Sequence, residues 1–204
     1  MKKVLTTLLI ASLLVLPLGS VALAEDHTEA SQPPVTEFIP GAVPAQTTFA
    51  QAMSPAIHAA LLAMMNRDVS SFSPADDPLA WEALYNMLSL YGQLDDRAEY
   101  DNDRLVLPSE TAQDFAAALL GSMPAGPIPE ELADRLVYDA ETDCYLVSCG
   151  SDALCELRFD ADQGSEVSGA LVYLVDGSNL ISFRATLAAQ DNLFGCALAA
   201  LELV

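Results

Sequence analysis

Apolar positions recur at helical spacing in the chain that follows residue 47. A first helix begins at Ser54 and Pro55, because serine caps a helix start and proline suits the first helical turn. The apolar residues behind this start recur every three or four positions: Ile57, Leu61, Met64 and Met65. This pattern predicts a helix that ends near Arg67.

Two more helices are predicted farther along the chain. The second begins at the Asp-Pro pair at 77–78 and ends at Gly92, and its apolar stripe is made by Trp81, Leu84, Leu88 and Tyr91. After a charged loop, residues 104–107 are a short strand candidate. Ser109 then caps a third helix, which ends at Gly121 and has the apolar residues Ala112, Phe115, Ala116 and Leu119.

The hydrophobic period changes to two from Val137 onward. Segments of alternating residues, separated by turn-forming residues, lie near 136–139, 143–149, 154–160, 168–175, 180–188 and 196–203. Strands joined by such short turns pair antiparallel. The predicted fold class is α+β, with three N-terminal helices followed by an antiparallel β-meander of five or six strands.

This order of elements resembles the cone-shaped fold of nuclear transport factor 2 and its relatives. The resemblance is one of element order, and it covers residues 47–204. That superfamily includes isomerases, dehydratases and many non-catalytic binding domains. The resemblance therefore implies a fold and leaves the function open.

The N-terminal segment has the three parts of a secretory signal peptide. Lys2 and Lys3 give it a positive start, residues 4–18 are apolar, and small residues precede a cleavage site between Ala24 and Glu25. An uncleaved membrane anchor is the alternative, and the cleavage site argues against it. We expect the mature protein to be secreted or otherwise extracytoplasmic.

These patterns predict three regions. Residues 1–24 are the signal peptide, residues 25–46 a flexible Pro-rich linker, and residues 47–204 a single α+β domain. No later segment has the run of apolar residues that a membrane span needs, so we expect no membrane span after signal cleavage.

The chain is strongly acidic. Its formal net charge is −21, and both of its lysines lie in the predicted signal. A protein that binds nucleic acid needs Lys and Arg to neutralise phosphates, so we expect no nucleic-acid partner. The acidity favours solubility and attracts cations or basic partners.

Motifs for catalysis, nucleotide binding and structural metal sites are absent from the sequence. His27 falls in the predicted linker, and His58 is interpreted as a residue on the flank of the first helix rather than a base. We expect no catalytic residue of the triad kind, no cofactor and no metal site. Two acidic groups could hold calcium but are interpreted as solvated turns: Asp95, Asp96, Glu99, Asp101 and Asp103, and Asp160, Asp162 and Glu166.

Two functional hypotheses follow. The leading one is an exported, non-catalytic domain that binds a small molecule or a protein. The alternative is a small lyase or isomerase that uses a Tyr/Asp pair in a pocket between the third helix and the sheet, with Tyr138, Tyr145 or Tyr173 as the phenol. A strand tyrosine is more often a packing residue, which favours the binding domain.

The four cysteines predict two disulfides, because an even number of cysteines in an exported chain is typically oxidised. Three pairings are conceivable. In a hairpin centred on Asp152, Tyr145 faces Phe159 and Cys149 faces Cys155, while Cys144 shares the opposite face with Cys196. The sequence therefore favours Cys149–Cys155 together with Cys144–Cys196.

Loop closure makes the second of these bridges the more stabilising one, with about 4 kcal/mol against about 2 kcal/mol for the short loop. Cys196→Ser is therefore expected to lower the melting temperature more than Cys155→Ser. Peptide mapping without reductant checks the pairing, and four free thiols or a Cys144–Cys149 bridge would contradict it.

Overall fold

A computed structural model describes residues 48–150 and 154–204. The predicted signal peptide, its cleavage site between Ala24 and Glu25 and the Pro-rich linker lie outside the described residues. Asp152, the centre of the predicted hairpin, also lies outside them.

The described part of the chain has four α-helices. They are α1 (Phe49–Ala52), α2 (Ser54–Arg67), α3 (Asp77–Tyr91) and α4 (Ser109–Leu120), and short 3₁₀ turns occur at Gly92–Leu94 and Glu130–Leu132. Among these described residues, no helix is long and apolar enough to cross a membrane.

The predicted count of three helices does not match this arrangement. The additional helix α1 is a single turn that has no repeating apolar face, and a reciprocal capping box closes it. In this box the Thr48 hydroxyl accepts a hydrogen bond from the Gln51 backbone N–H, and the Gln51 side chain accepts one from the Thr48 backbone N–H. Such a turn gives no periodic signal in the sequence.

The strands form two antiparallel sheets. In chain order they are β1 (Ser71–Phe72), β2 (Glu99–Asp101), β3 (Arg104–Pro108), β4 (Leu136–Asp139), β5 (Cys144–Ser148), β6 (Cys155–Asp162), β7 (Glu166–Tyr173), β8 (Asn179–Ala189) and β9 (Cys196–Leu203). One sheet has the order β1-β9-β8-β7-β6, and the other has the order β2-β3-β5-β4. The α+β class is confirmed, but the single meander is wrong, because only β6 to β9 run in meander order.

The hairpin predicted around Asp152 is not formed. β5 pairs with β3 and β4, so that Val147 faces both Leu105 and Leu136, whereas β6 pairs with β7. The predicted register of Tyr145 against Phe159 is therefore wrong. Val147 and Leu105 are fully buried, and their contact satisfies the same inward parity that the hairpin would have satisfied.

All four cysteines have free thiols in the structure. Cys155 and Cys196 are buried, Cys144 is half-buried and Cys149 is exposed. The pairing of Cys149 with Cys155 loses the strand register on which it rested. The pairing of Cys144 with Cys196 loses its shared sheet face, because β5 and β9 belong to different sheets. Oxidation of the cysteines stays a prediction.

The apolar core lies between the helices and the inner faces of the sheets. α2 and α3 pack against each other, and α4 packs against β9 and β3. Among the largest fully buried side chains are Leu61, Leu84, Leu105, Leu119 and Phe183. The start of α2, the end of α3 and the middle of α4 lie near the turn between β8 and β9.

Gly169 marks a close approach of two backbones. It faces Phe159 across the β6–β7 pair, next to a register shift between Phe159 and Ala161. A Cβ atom at this position would collide with the carbonyl oxygen of Arg158. The sheet therefore has no room for a side chain here.

Gly169→Ala is expected to destabilise the domain by about 1–3 kcal/mol, because β6 must move away from β7 to admit the methyl group. Urea unfolding measures the change. Gly150→Ala is the matched control, since a Cβ there meets nothing within 4 Å. Equal stabilities of the two variants would contradict this account of the β6–β7 contact.

Candidate functional site

A cleft of about 490 Å³ opens between the start of α2, the end of α3, the middle of α4 and the turn between β8 and β9. Its apolar lining residues are Pro55, Leu94, Phe115, Leu193 and Phe194, and its polar ones are Tyr91, Asp95, Asp96, Arg97 and Asp114. They come from α2, α3, the segment after it, α4 and the β8–β9 turn. A volume of this size, with a mostly apolar wall and a few polar groups, is typical of a small-molecule site.

The β8–β9 turn supplies one apolar wall of the cleft. The Asn192 side chain accepts a hydrogen bond from the Phe194 backbone N–H (2.9 Å) and donates one to the Cys196 carbonyl (3.0 Å). Gly195 takes a left-handed conformation with φ of +73°. This tight turn brings Phe194 edge-on against Phe115 of α4, with ring centroids 5.7 Å apart.

Arg97 is held by two carboxylates at the rim of the cleft. Its guanidinium lies 2.9 Å from Asp95 and 2.8 Å from Glu110, and the Thr111 hydroxyl donates to Asp95 at 2.7 Å. Hydrogen bonding from Arg97 holds the pKa of Asp95 well below its usual range, and the same bond raises the pKa of Arg97. The charge of Arg97 is thus offset by its own neighbours.

The other two carboxylates of the cleft are Asp96 and Asp114. Within the described ranges 48–150 and 154–204, neither Asp96 nor Asp114 takes part in an ion pair. Asp114 is half-buried and directly precedes Phe115 on α4. A partly buried negative charge therefore lies beside an aromatic wall.

A buried polar cluster lies behind the cleft. The Nδ1 atom of His58 is 2.7 Å from the Tyr91 hydroxyl, and its Nε2 atom is 3.5 Å from the Cys155 Sγ. Burial lowers the pKa of His58 and raises the pKa of Cys155, so both groups are uncharged at neutral pH. Burial also raises the pKa of Tyr91 to about 12. The three residues join the cleft wall to the core.

The interpretation of His58 changes with this geometry. The sequence placed it on a helix flank without an assignable Ser, Cys or carboxylate partner. In the structure its side chain is buried, and the sulfur within reach belongs to Cys155, on a strand far along the chain. Spacing within the sequence cannot reveal such a partner.

The tyrosines proposed from the sequence do not line the cleft. Tyr138 is exposed and donates a hydrogen bond to Asp143 at 2.8 Å, so a Tyr/Asp pair exists on the outer surface. Tyr145 is buried against Tyr138, with ring centroids 5.1 Å apart, and Tyr173 is half-buried at the end of β7. The tyrosine in the cleft is Tyr91, which the sequence indicated only as part of an apolar stripe.

The acidic groups do not assemble into a cation site. Asp95 belongs to the Arg97 cluster, and Asp162 accepts a hydrogen bond from the backbone N–H of Gly164 in a turn. In the part of the chain that the structure describes, no three His, Cys, Asp or Glu side chains come together in a way that could hold a metal ion.

Comparisons with known proteins identify no relative. No protein-family model matches the chain, and neither the curated proteins nor the solved structures contain a significant match.

The lowered pKa of His58 predicts that acid destabilises the domain. In the unfolded chain the imidazole takes up a proton below its ordinary pKa of 6.5, while the folded state stays neutral to lower pH. The unfolded state then binds more protons, so stability is present above about pH 6.5 and falls as the pH drops through the folded pKa, by at most about 1.4 kcal/mol per pH unit.

Urea unfolding at about pH 7.5 and about pH 5.5 checks this prediction, because the carboxylates stay largely ionised between these values. His58→Gln is expected to lose less stability between the two values than the wild type loses. Contributions from other groups are common to both proteins and cancel in the comparison. Equal losses would contradict a pKa lowered by burial.

Proposed function

We propose that this chain is an exported, non-catalytic domain whose cleft binds a small organic cation with an apolar body. The observation that carries the proposal is the half-buried carboxylate of Asp114, which lies in the cleft wall beside Phe115 and has no ion-pair partner among the described residues. A charge in such a place is stabilised when a ligand of opposite sign arrives.

Electrostatics favour a cation over an anion. Arg97, the cationic residue in the lining, is engaged by Asp95 and Glu110, so Asp96 and Asp114 leave the cleft with a negative surplus. The chain as a whole has a formal charge of −21. Its field attracts positively charged ligands toward the cleft and repels phosphates and carboxylates.

The aromatic and aliphatic walls favour a ligand with an apolar body. Phe115 and Phe194 meet edge to face, and Tyr91 adds a third ring to the lining. Aromatic faces attract quaternary and alkylated ammonium groups, while aliphatic surface buries a short chain. Leu94 and Leu193 are each 72 % exposed at the rim, which leaves apolar surface for a ligand to cover.

The proposal also includes export and a distant relation to a known fold. The predicted signal peptide, which is followed by the predicted linker, supports action outside the cytoplasm. A distant relation to the cone-shaped fold of nuclear transport factor 2 is supported by the order of α2, α3 and α4 before the meander of β6 to β9.

Calorimetric titration with pentyltrimethylammonium tests the proposal. We expect binding that weakens with added salt, and Asp114→Asn is expected to weaken it about three- to tenfold because one nearby charge is removed. Asp103→Asn is the matched control, since Asp103 is an exposed carboxylate that does not line the cleft. Hexanoate, with a similar tail and a negative head, is expected not to bind.

Two results would overturn the proposal. One is the absence of any binding of the ammonium probe at millimolar concentration. The other is an equal effect of Asp114→Asn and Asp103→Asn, which would show that only the overall charge matters.

A lyase or isomerase activity is the second candidate, and one observation favours it. Tyr91 lines the same cleft as Asp96 and Asp114, next to α4, so a phenol and a carboxylate share one site. An enzyme would change its ligand, whereas a binding domain returns it intact. Mass analysis of a bound ligand before and after incubation separates the two functions.

A further inference from the structure

We propose that Cys155, His58 and Tyr91 form a directed hydrogen-bond chain that makes Tyr91 a hydrogen-bond donor to the ligand. The inference rests on the proposed binding function and narrows the ligand class to cations that also have an acceptor oxygen, such as a carbonyl. Tyr91 becomes the specificity-determining residue, and His58 acts through it as a positioning residue.

Two arrangements of protons fit the heavy-atom distances. In the first, the Cys155 thiol donates to His58 Nε2, and His58 Nδ1–H donates to the Tyr91 oxygen. In the second, the Tyr91 hydroxyl donates to Nδ1, and Nε2–H donates to the sulfur. The contacts of 3.5 Å and 2.7 Å allow either direction, because an imidazole nitrogen is a donor or an acceptor according to its tautomer.

The satisfaction of buried protons favours the first arrangement. Among the hydrogen bonds of the described residues, His58 Nε2 is the sole partner of the Cys155 sulfur. In the second arrangement the buried thiol proton would have no acceptor. In the first, every buried proton has one, and the proton left over belongs to Tyr91, in the wall of the cleft.

Protonation states agree with this direction. Burial raises the pKa of the Cys155 thiol, which keeps its proton, and lowers the pKa of His58, which keeps one bare nitrogen as an acceptor. The phenol of Tyr91 also stays protonated, since burial raises its pKa to about 12. Each group thus has the proton that the chain requires.

The first test reads the tautomer in the protein without any ligand. Nitrogen-15 NMR of the His58 ring distinguishes a protonated nitrogen from a bare one, and we expect Nδ1 to be protonated and Nε2 to be bare. Cys155→Ala removes the thiol donor and is expected to move the proton to Nε2. Cys155→Ser keeps a donor and is expected to restore the wild-type tautomer.

The second test measures selectivity with two cations of equal chain length. Pentyltrimethylammonium has no acceptor, whereas acetylcholine has an ester carbonyl. We expect Tyr91→Phe and Cys155→Ala to lower the ratio of acetylcholine affinity to pentyltrimethylammonium affinity about three- to tenfold, the contribution of one hydrogen bond. Cys144→Ala is the control, because its sulfur contacts the Thr142 carbonyl outside the cleft.

The outcomes separate this inference from the proposed function. A proton on Nε2 in the wild type overturns the chain even if both cations bind. Loss of all cation binding with Nδ1 protonated overturns the binding function instead. A Cys149–Cys155 disulfide in the isolated protein would also overturn the chain, since it removes the thiol proton on which the direction depends.

Discussion

The packing of α3 between α2 and the β2-β3-β5-β4 sheet is the constraint on which the other parts of the domain depend. Its polar side chains hydrogen-bond to three separate segments: Trp81 Nε1 to the Gly126 carbonyl, the Tyr85 hydroxyl to the Ser148 carbonyl, and the Asn86 amide to the Ala59 carbonyl. Hydrogen bonds are directional, so together they fix the rotation and the axial position of the helix. Tyr91 and the acidic segment after it are placed by the same packing.

Local signals predicted where the long helices begin, because those signals act within a few residues. The starts at Ser54, Asp77 and Ser109 agree with the structure. The predicted serine caps are wrong, because the capping positions of the three helices are Met53, Asp76 and Pro108, and of these Asp76 alone accepts a capping hydrogen bond with its side chain. Strand partners are a different matter. A strand such as β5 buries alternate residues against any partner strand whose apolar residues face the same side of the sheet. β3, which precedes α4 in the chain, meets this requirement as well as β6 would have met it.

The cleft could not be predicted because its lining comes from five separate segments. An apolar stripe on α4 identifies Phe115 as inward-facing but does not distinguish the wall of a cleft from the core. The same holds for Tyr91 on α3. The polar neighbours gave a weak signal, since Asp114 is a charged residue beside Phe115 in a helix that is otherwise rich in alanine. Only the tertiary arrangement shows which of these residues meet.

Local pairing, rather than formal charge, decides which ionic groups of an acidic protein remain available to a ligand. Arg97 lies in the lining of the cleft, and its charge taken alone would attract an anion. Its guanidinium is instead taken up by Asp95 and Glu110, and Thr111 orients Asp95. The carboxylates of Asp95 and Glu110 thus neutralise Arg97, which supports the cleft structurally. Asp114, which has no ion-pair partner among the described residues, lies beside an aromatic wall and makes the cleft negative.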